Sequence, residues 1–108
     1  MPTFDDFEAL AIRAGTVLRA EPNTGSRHPA LKLWIDFGEL GELQSSAKIT
    51  DQYDAAGIVG RQVIAVTGFP PMRVGGFRSD VLVLGAITDG GVILLNIDAP
   101  VPPGSVVA

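Results

Sequence analysis

Two short apolar runs limit what this chain can become. Gln62-Val63-Ile64-Ala65-Val66-Thr67 and Val81-Leu82-Val83-Leu84-Gly85-Ala86 carry apolar side chains on both faces, the pattern of strands covered on two sides. A small barrel covers only the inner side of its strands, so the second cover has to come from a plugging helix, the terminal segments or another chain. That need is the residue-level indication of oligomerisation. Between the runs lies Gly68-Phe69-Pro70-Pro71-Met72-Arg73-Val74-Gly75-Gly76-Phe77-Arg78-Ser79, with two cations, two aromatics and a methionine. Prolines fix φ and glycines free it, so the segment reads as a shaped loop of the kind that carries function. It also fits a long connection whose Phe69 and Phe77 cap the core.

The rest of the chain supplies the partners of these runs. Thr3 followed by Asp6 resembles a capping box, and Phe4, Phe7 and Leu10 mark one face of a short helix. Such a helix is too short to be stable alone, so its phenylalanines pack on the chain's own barrel or on a second subunit. From Leu10 to Ala20 the pattern alternates, with Leu10, Ile12, Ala14, Leu18 and Ala20 on one face and Arg13, Gly15, Val17 and Arg19 on the other, which predicts a half-buried strand. Gly15 suits a bend or bulge of the sort that curls a sheet into a barrel. Residues 21–29 are dense in turn formers and read as loop.

Leu31, Leu33, Ile35 and Phe37 then alternate with Lys32, Trp34 and Asp36, sending aliphatics inward and a Lys-Trp pair outward. An outward Trp34 stacks on a base, contacts a peptide, or lies under a neighbouring element or subunit. Residues 38–42 turn the chain into Leu43–Ala47, a predicted hairpin. Thr50 is placed to cap a short helix over residues 51–56, with Gly57 as its left-handed stop; this helix is expected to plug one end of a barrel. Asp89-Gly90-Gly91 has hairpin-turn chemistry and leads into Val92–Leu95. Residues 99–104 form a stiff extended tail before a last strand at Ser105–Val107.

At 108 residues the chain reads as a single domain over residues 1–108, and an apolar share of 46% excludes a disordered chain. The absence of cysteine excludes a disulfide framework, a thiolate metal site and a cysteine nucleophile. The N-terminus lacks a secretory pattern, and no run approaches the ~20 apolar residues of a membrane helix. A soluble, cytoplasmic protein without membrane insertion is therefore expected. The formal charge of −4 argues against a generic polyanion binder, but leaves room for a local patch drawn from Arg27, Lys32, Lys48, Arg73 and Arg78. His28 is the sole imidazole, the glycines match no nucleotide-loop spacing, and Asp5 and Asp6 diverge on their helix. No enzyme, metal or cofactor is expected.

Several stretches occur in one order along nearly the whole chain: Asp5-Asp6-Phe7-Glu8 with Ile12-Arg13-Ala14-Gly15-Thr16-Val17, then Gln44-Ser45-Ser46-Ala47-Lys48-Ile49-Thr50, then Phe69-Pro70-Pro71-Met72-Arg73, then Gly76 to Gly85. Together they resemble the CsaA-type export chaperones, within the wider family of tRNA-binding domains appended to methionyl- and phenylalanyl-tRNA synthetases. The resemblance implies an all-β fold: a five-stranded oligonucleotide/oligosaccharide-binding (OB) barrel with a short N-terminal helix, a short plugging helix and extended terminal segments. It also implies a cytoplasmic homodimer that holds unfolded, export-bound preproteins and meets the export machinery. Where tRNA-binding relatives usually carry a methionine after the loop serine, this chain has Ser79-Asp80-Val81-Leu82.

Two functions are thus expected. As a non-enzymatic chaperone, Phe69, Pro70, Pro71, Met72 and Phe77 offer an apolar groove, with Arg73, Arg78 and Lys48 at its edge and Ser45, Ser46 and Ser79 beside it. As a module for tRNA or structured RNA on the same OB face, Lys32, Lys48, Arg73 and Arg78 meet phosphates while Trp34 or Phe77 stacks on a base. Phe4 and Phe7 are the expected dimer interface.

Overall fold

The strict alternation of the second strand builds the core. In the computed structural model, which describes all 108 residues, Leu31, Leu33, Ile35 and Phe37 are buried in one apolar cluster with Val17, Ala47, Ile49, Ile58, Val63, Ala65, Val81 and Leu94. Around it run β1 (Ile12–Pro22), β2 (Leu31–Asp36), β3 (Glu42–Ala47) and β4 (Gln62–Val66), then a hairpin of β5 (Met72–Val74) and β6 (Phe77–Ser79), and β7 (Leu82–Val83). The main sheet has the order β3-β2-β1-β4-β7, every neighbour antiparallel. β1 pairs through its first half with β4 and through its second with β2.

The two ends of this sheet, β3 and β7, form no ladder and are joined ahead of β7 by two side-chain bonds and one backbone bond. Ser45 Oγ donates to the Val81 carbonyl at 2.8 Å, and the Gln44 N–H donates to the Asp80 carboxylate at 3.0 Å. The Asp80 N–H returns a bond to the Gln44 carbonyl at 2.7 Å. A nearly closed five-stranded antiparallel barrel of this connectivity is an OB-fold, as expected.

Several local expectations are corrected. Gly15 is not the bulge: it pairs regularly with Val63, and the register breaks between Val17 and Arg19. Gly15 is needed for another reason, since a Cβ there would sit 2.6 Å from Ile35 Cγ2 and 2.7 Å from Phe37 Cε1. The displaced bulge turns Val17 into the core and leaves Leu18 48% exposed, reversing the faces assigned to these two residues.

The second helix, α2, spans Ala55–Ile58 and is capped by Asp54, not Thr50. The Asp54 carboxylate accepts the Gly57 N–H at 2.6 Å, so Gly57 lies inside the helix, and the left-handed residue is Gly60 (φ +88°). The helix still plugs the barrel, because Ile58 is fully buried.

The run from Val81 to Ala86 is not one covered strand. Val81 is buried, Leu82 faces outward, and the chain breaks at Leu84 before a separate hairpin of β8 (Gly85–Thr88) and β9 (Gly91–Leu94) around the expected Asp89-Gly90 turn. Only the Gln62–Thr67 run, whose Val63, Ile64, Ala65 and Val66 are all buried, is covered on both sides within the chain. The expected last strand is a single bridge from Val106 to Arg13, flanked by bonds from the Ala14 N–H to the Ser105 carbonyl and from the Val107 N–H to the Ile12 carbonyl, each 2.9 Å. The N-terminal helix α1 (Phe4–Ala9) has the expected capping box between Thr3 and Asp6 and buries none of its residues.

Candidate functional site

The segment read as a shaped loop is mostly a hairpin. Met72 faces Ser79, Arg73 faces Arg78 and Val74 faces Phe77, around Gly75 (φ +59°) and Gly76 (φ +79°). Two consecutive positive-φ residues make the two-residue turn whose twist matches paired strands. The hairpin is tied down on both flanks. Asn23, buried in the loop after β1, donates from Nδ2 to the Val74 carbonyl at 3.1 Å and to Ser46 Oγ at 3.0 Å, while its Oδ1 accepts the Gly25 N–H at 3.2 Å. On the β3 side, Gln44 Nε2 donates to the Arg78 carbonyl at 2.8 Å and the Ser46 N–H to Ser79 Oγ at 3.1 Å.

A hairpin held this way divides the surface in two. On one side is a cation–aromatic cluster. Arg19 and Trp34 are register partners, and the Arg19 guanidinium carbon lies 3.9 Å from the Trp34 ring centre. Phe77 meets the same indole edge-on at 5.4 Å, and Lys32 Nζ stands 5.2 Å from the Phe77 ring and 3.9 Å from Glu21. On the other side Met72, Val74, Phe69, Pro70 and Leu82 line an apolar groove of about 200 Å³. It adjoins a second groove of about 380 Å³ that shares Met72, Val74 and Leu82 and reaches Lys48, Ile49, Val83 and Val92.

The expected site residues therefore separate. Lys32, Trp34 and Phe77 come together in the cluster, and Phe69, Pro70 and Met72 in the groove, with exposed Lys48 at its far end. Pro71 is exposed and lines neither. Arg73 and Arg78 lie opposite each other on the hairpin. Arg73 Nη1 donates to the Gly76 carbonyl at 2.9 Å, and Arg78 Nε is held 2.7 Å from Asp80. The hydrogen bond and charge of Asp80 push the Arg78 guanidinium pKa further up, so this cation is fixed in its charged form and already paired. Ser45 and Ser79 are buried; their hydroxyls, with that of Ser46, bond the seam and the hairpin. Phe4 and Phe7 are remote, stacked at 6.0 Å beside a cleft of about 170 Å³ lined also by Ala11, Ile12, Val106 and Val107.

A family model described as "Putative tRNA binding domain" matches residues 12–106. The chain belongs to this tRNA-binding domain family. Its sequence is 41% identical over 101 residues to the methionine–tRNA ligase of Methanothrix thermoacetophila, covering 94% of this chain and 15% of that enzyme. The chain thus spans about 15% of the length of the curated relatives it matches. Among solved structures, the chaperone CsaA from Bacillus anthracis str. Ames superposes with a TM-score of 0.93 at 48% identity, covering 100% of this chain and 99% of that one. The CsaA chaperone protein from Picrophilus torridus gives 0.93 at 41% identity with both chains fully covered. The CsaA-type resemblance read from the residues is thereby shown.

Three side chains of this tRNA-binding domain escaped the sequence reading. Arg19 sits one residue past the bulge, and without the bulge its face cannot be assigned. Asn23 was one turn former among many, and only its burial distinguishes it. Leu82 belongs to an apolar run that reads as a covered strand, whereas it lies half-exposed in both grooves. No metal-ligating cluster of three or more His, Cys, Asp or Glu side chains is present, and no helix is long and apolar enough to cross a membrane.

Proposed function

We propose that this tRNA-binding domain is a non-enzymatic, dimeric chaperone that holds unfolded, export-bound polypeptide in the cytoplasm. The observation that carries this reading is the continuous apolar groove along a hairpin fixed on both flanks, with Phe69, Met72 and Leu82 left exposed. An apolar surface of this kind on a small protein marks a binding site, and methionine adapts to varied side chains. The likeness to proteins described as CsaA chaperones supports it. Leu82→Asp is expected to weaken binding of a permanently unfolded polypeptide, such as reduced and carboxymethylated lactalbumin, by tenfold or more, because it puts a charge where roughly 1.5–3 kcal/mol of apolar burial is available. Unchanged binding would remove the groove from the function.

RNA is a second reading, favoured by the cluster of Arg19, Lys32, Trp34 and Phe77. A base stacked there contributes about 1–3 kcal/mol. Trp34→Ala is therefore expected to weaken tRNA binding by roughly fivefold to a hundredfold, measured by polarisation. Affinity that does not fall with rising salt would count against it, since phosphate contacts release counterions. The likeness to a segment of methionine–tRNA ligases supports this reading.

A second copy of the chain suits the cleft at Phe4, which is 70% exposed on a helix with no buried residue. Phe4→Asp with Phe7→Asp is expected to shift sedimentation from dimer to monomer. A wild-type monomer at micromolar concentration would overturn the dimer.

A further inference from the structure

β3 and β7 meet only in part, and beyond the bonds around Ser45 and Val81 each strand keeps backbone polar groups without partners. The N–H groups of Gln44 and Ser46 both bond away from β2, to Asp80 and Ser79. In an antiparallel strand the carbonyl of such a residue points the same way as its N–H, and the Ser46 carbonyl accepts no hydrogen bond there. On β7, the Leu84 N–H bonds to the Ile64 carbonyl of β4 at 2.8 Å. Val83, one residue earlier, therefore turns its N–H and carbonyl away from β4, and neither is bonded. Ser46 and Val83 both line the larger groove.

We infer that this opening takes an extended peptide by strand addition, the peptide backbone bonding to Val83 and Ser46 while alternate side chains enter the groove among Ile49, Val74 and Val92. The inference rests on the polypeptide reading above and adds to it the mode of binding. Unmatched strand edges call for a chain that offers donors and acceptors at strand spacing, and the apolar walls call for aliphatic side chains at every second position. Lys48 stands exposed at the end of the groove and belongs to neither of the protein's two ion pairs, so an acidic residue at one end of the peptide complements it.

The probe is a fluorescein-labelled nonapeptide alternating valine and serine with one terminal aspartate, followed by polarisation, with each backbone nitrogen methylated in turn. Strand addition makes methylation weaken binding about tenfold or more, through loss of a hydrogen bond and a steric block, at the peptide residues whose N–H groups face the Val83 and Ser46 carbonyls, two positions of opposite parity because the two edges lie on opposite sides of the peptide, while methylation at the peptide's ends stays within about twofold. The Val83 amide then gains hydrogen-exchange protection with the peptide bound. If every position tolerates methylation while Leu82→Asp still abolishes binding, strand addition is overturned and the groove reading stands. If the unmethylated peptide does not bind, both fall. Protection of Val83 before peptide is added would mean that a second copy of the chain occupies the opening, and would also overturn the inference.

Discussion

Alanine in place of Phe37 is expected to lower the unfolding free energy by about 3–5 kcal/mol. Phe37 is completely buried at the end of β2, and its ring fills the space that Gly15 leaves by having no side chain. Removing the ring opens a cavity between two strands that are fixed by their ladders, so the walls cannot close around it. A domain of this size is stable by only about 5–15 kcal/mol, which leaves the variant marginal. Urea unfolding followed by the single tryptophan gives the number; a loss under about 1 kcal/mol would mean that Phe37 is not a keystone of the barrel.

Gly75→Ala is expected to cost about 2 kcal/mol and, more usefully, to detach the hairpin. An alanine at φ +59° carries the left-handed penalty of about 1–2 kcal/mol. Its Cβ would also lie 2.5 Å from the Gly25 carbonyl oxygen and 2.5 Å from the Ser26 nitrogen, which are backbone atoms and cannot swing aside. The hairpin has to lift away from the loop after β1, breaking the bond from Asn23 to the Val74 carbonyl. Trp34, the only tryptophan, then loses Phe77 from its edge, so its emission is expected to shift at denaturant concentrations where the barrel is still folded. Wild-type emission together with wild-type affinity for both RNA and unfolded polypeptide would show that the docking carries no function.

The contrast between these two positions marks what could be read from the residues. Phe37 was legible because Leu31, Leu33, Ile35 and Phe37 keep strict alternation, and a ladder preserves that period in space. The barrel class was legible through the ordered stretches from Asp5 to Gly85. The hairpin was not, although Gly75-Gly76 is its turn signal. Two prolines precede it, its strands have three residues each, and its order comes from long-range bonds to Asn23 and Gln44. In the first strand one extra residue near Leu18 reversed the faces, because strand periodicity tolerates no offset. Asp54 displaced Thr50 as the cap since its carboxylate reaches the Gly57 N–H, a choice between two good capping residues that composition does not decide. The residues expected to share one face lie on two sides of the docked hairpin, Lys32, Trp34 and Phe77 in the cluster and Phe69, Pro70 and Met72 in the groove, and that separation exists only in the folded chain.

The seam between β3 and β7 has a consequence for how such a domain changes over time. A backbone ladder is blind to sequence, because almost any residue supplies the same N–H and carbonyl. Here the side chains of Ser45 and Asp80 do that work at the seam, and those of Gln44 and Ser79 do it between β3 and β6 beside it, so the width of the opening is written in four codons. Point substitutions at those positions can loosen or tighten the mouth of the barrel while the core around Phe37 is left alone, so the shape of that surface can drift without asking the fold to drift with it.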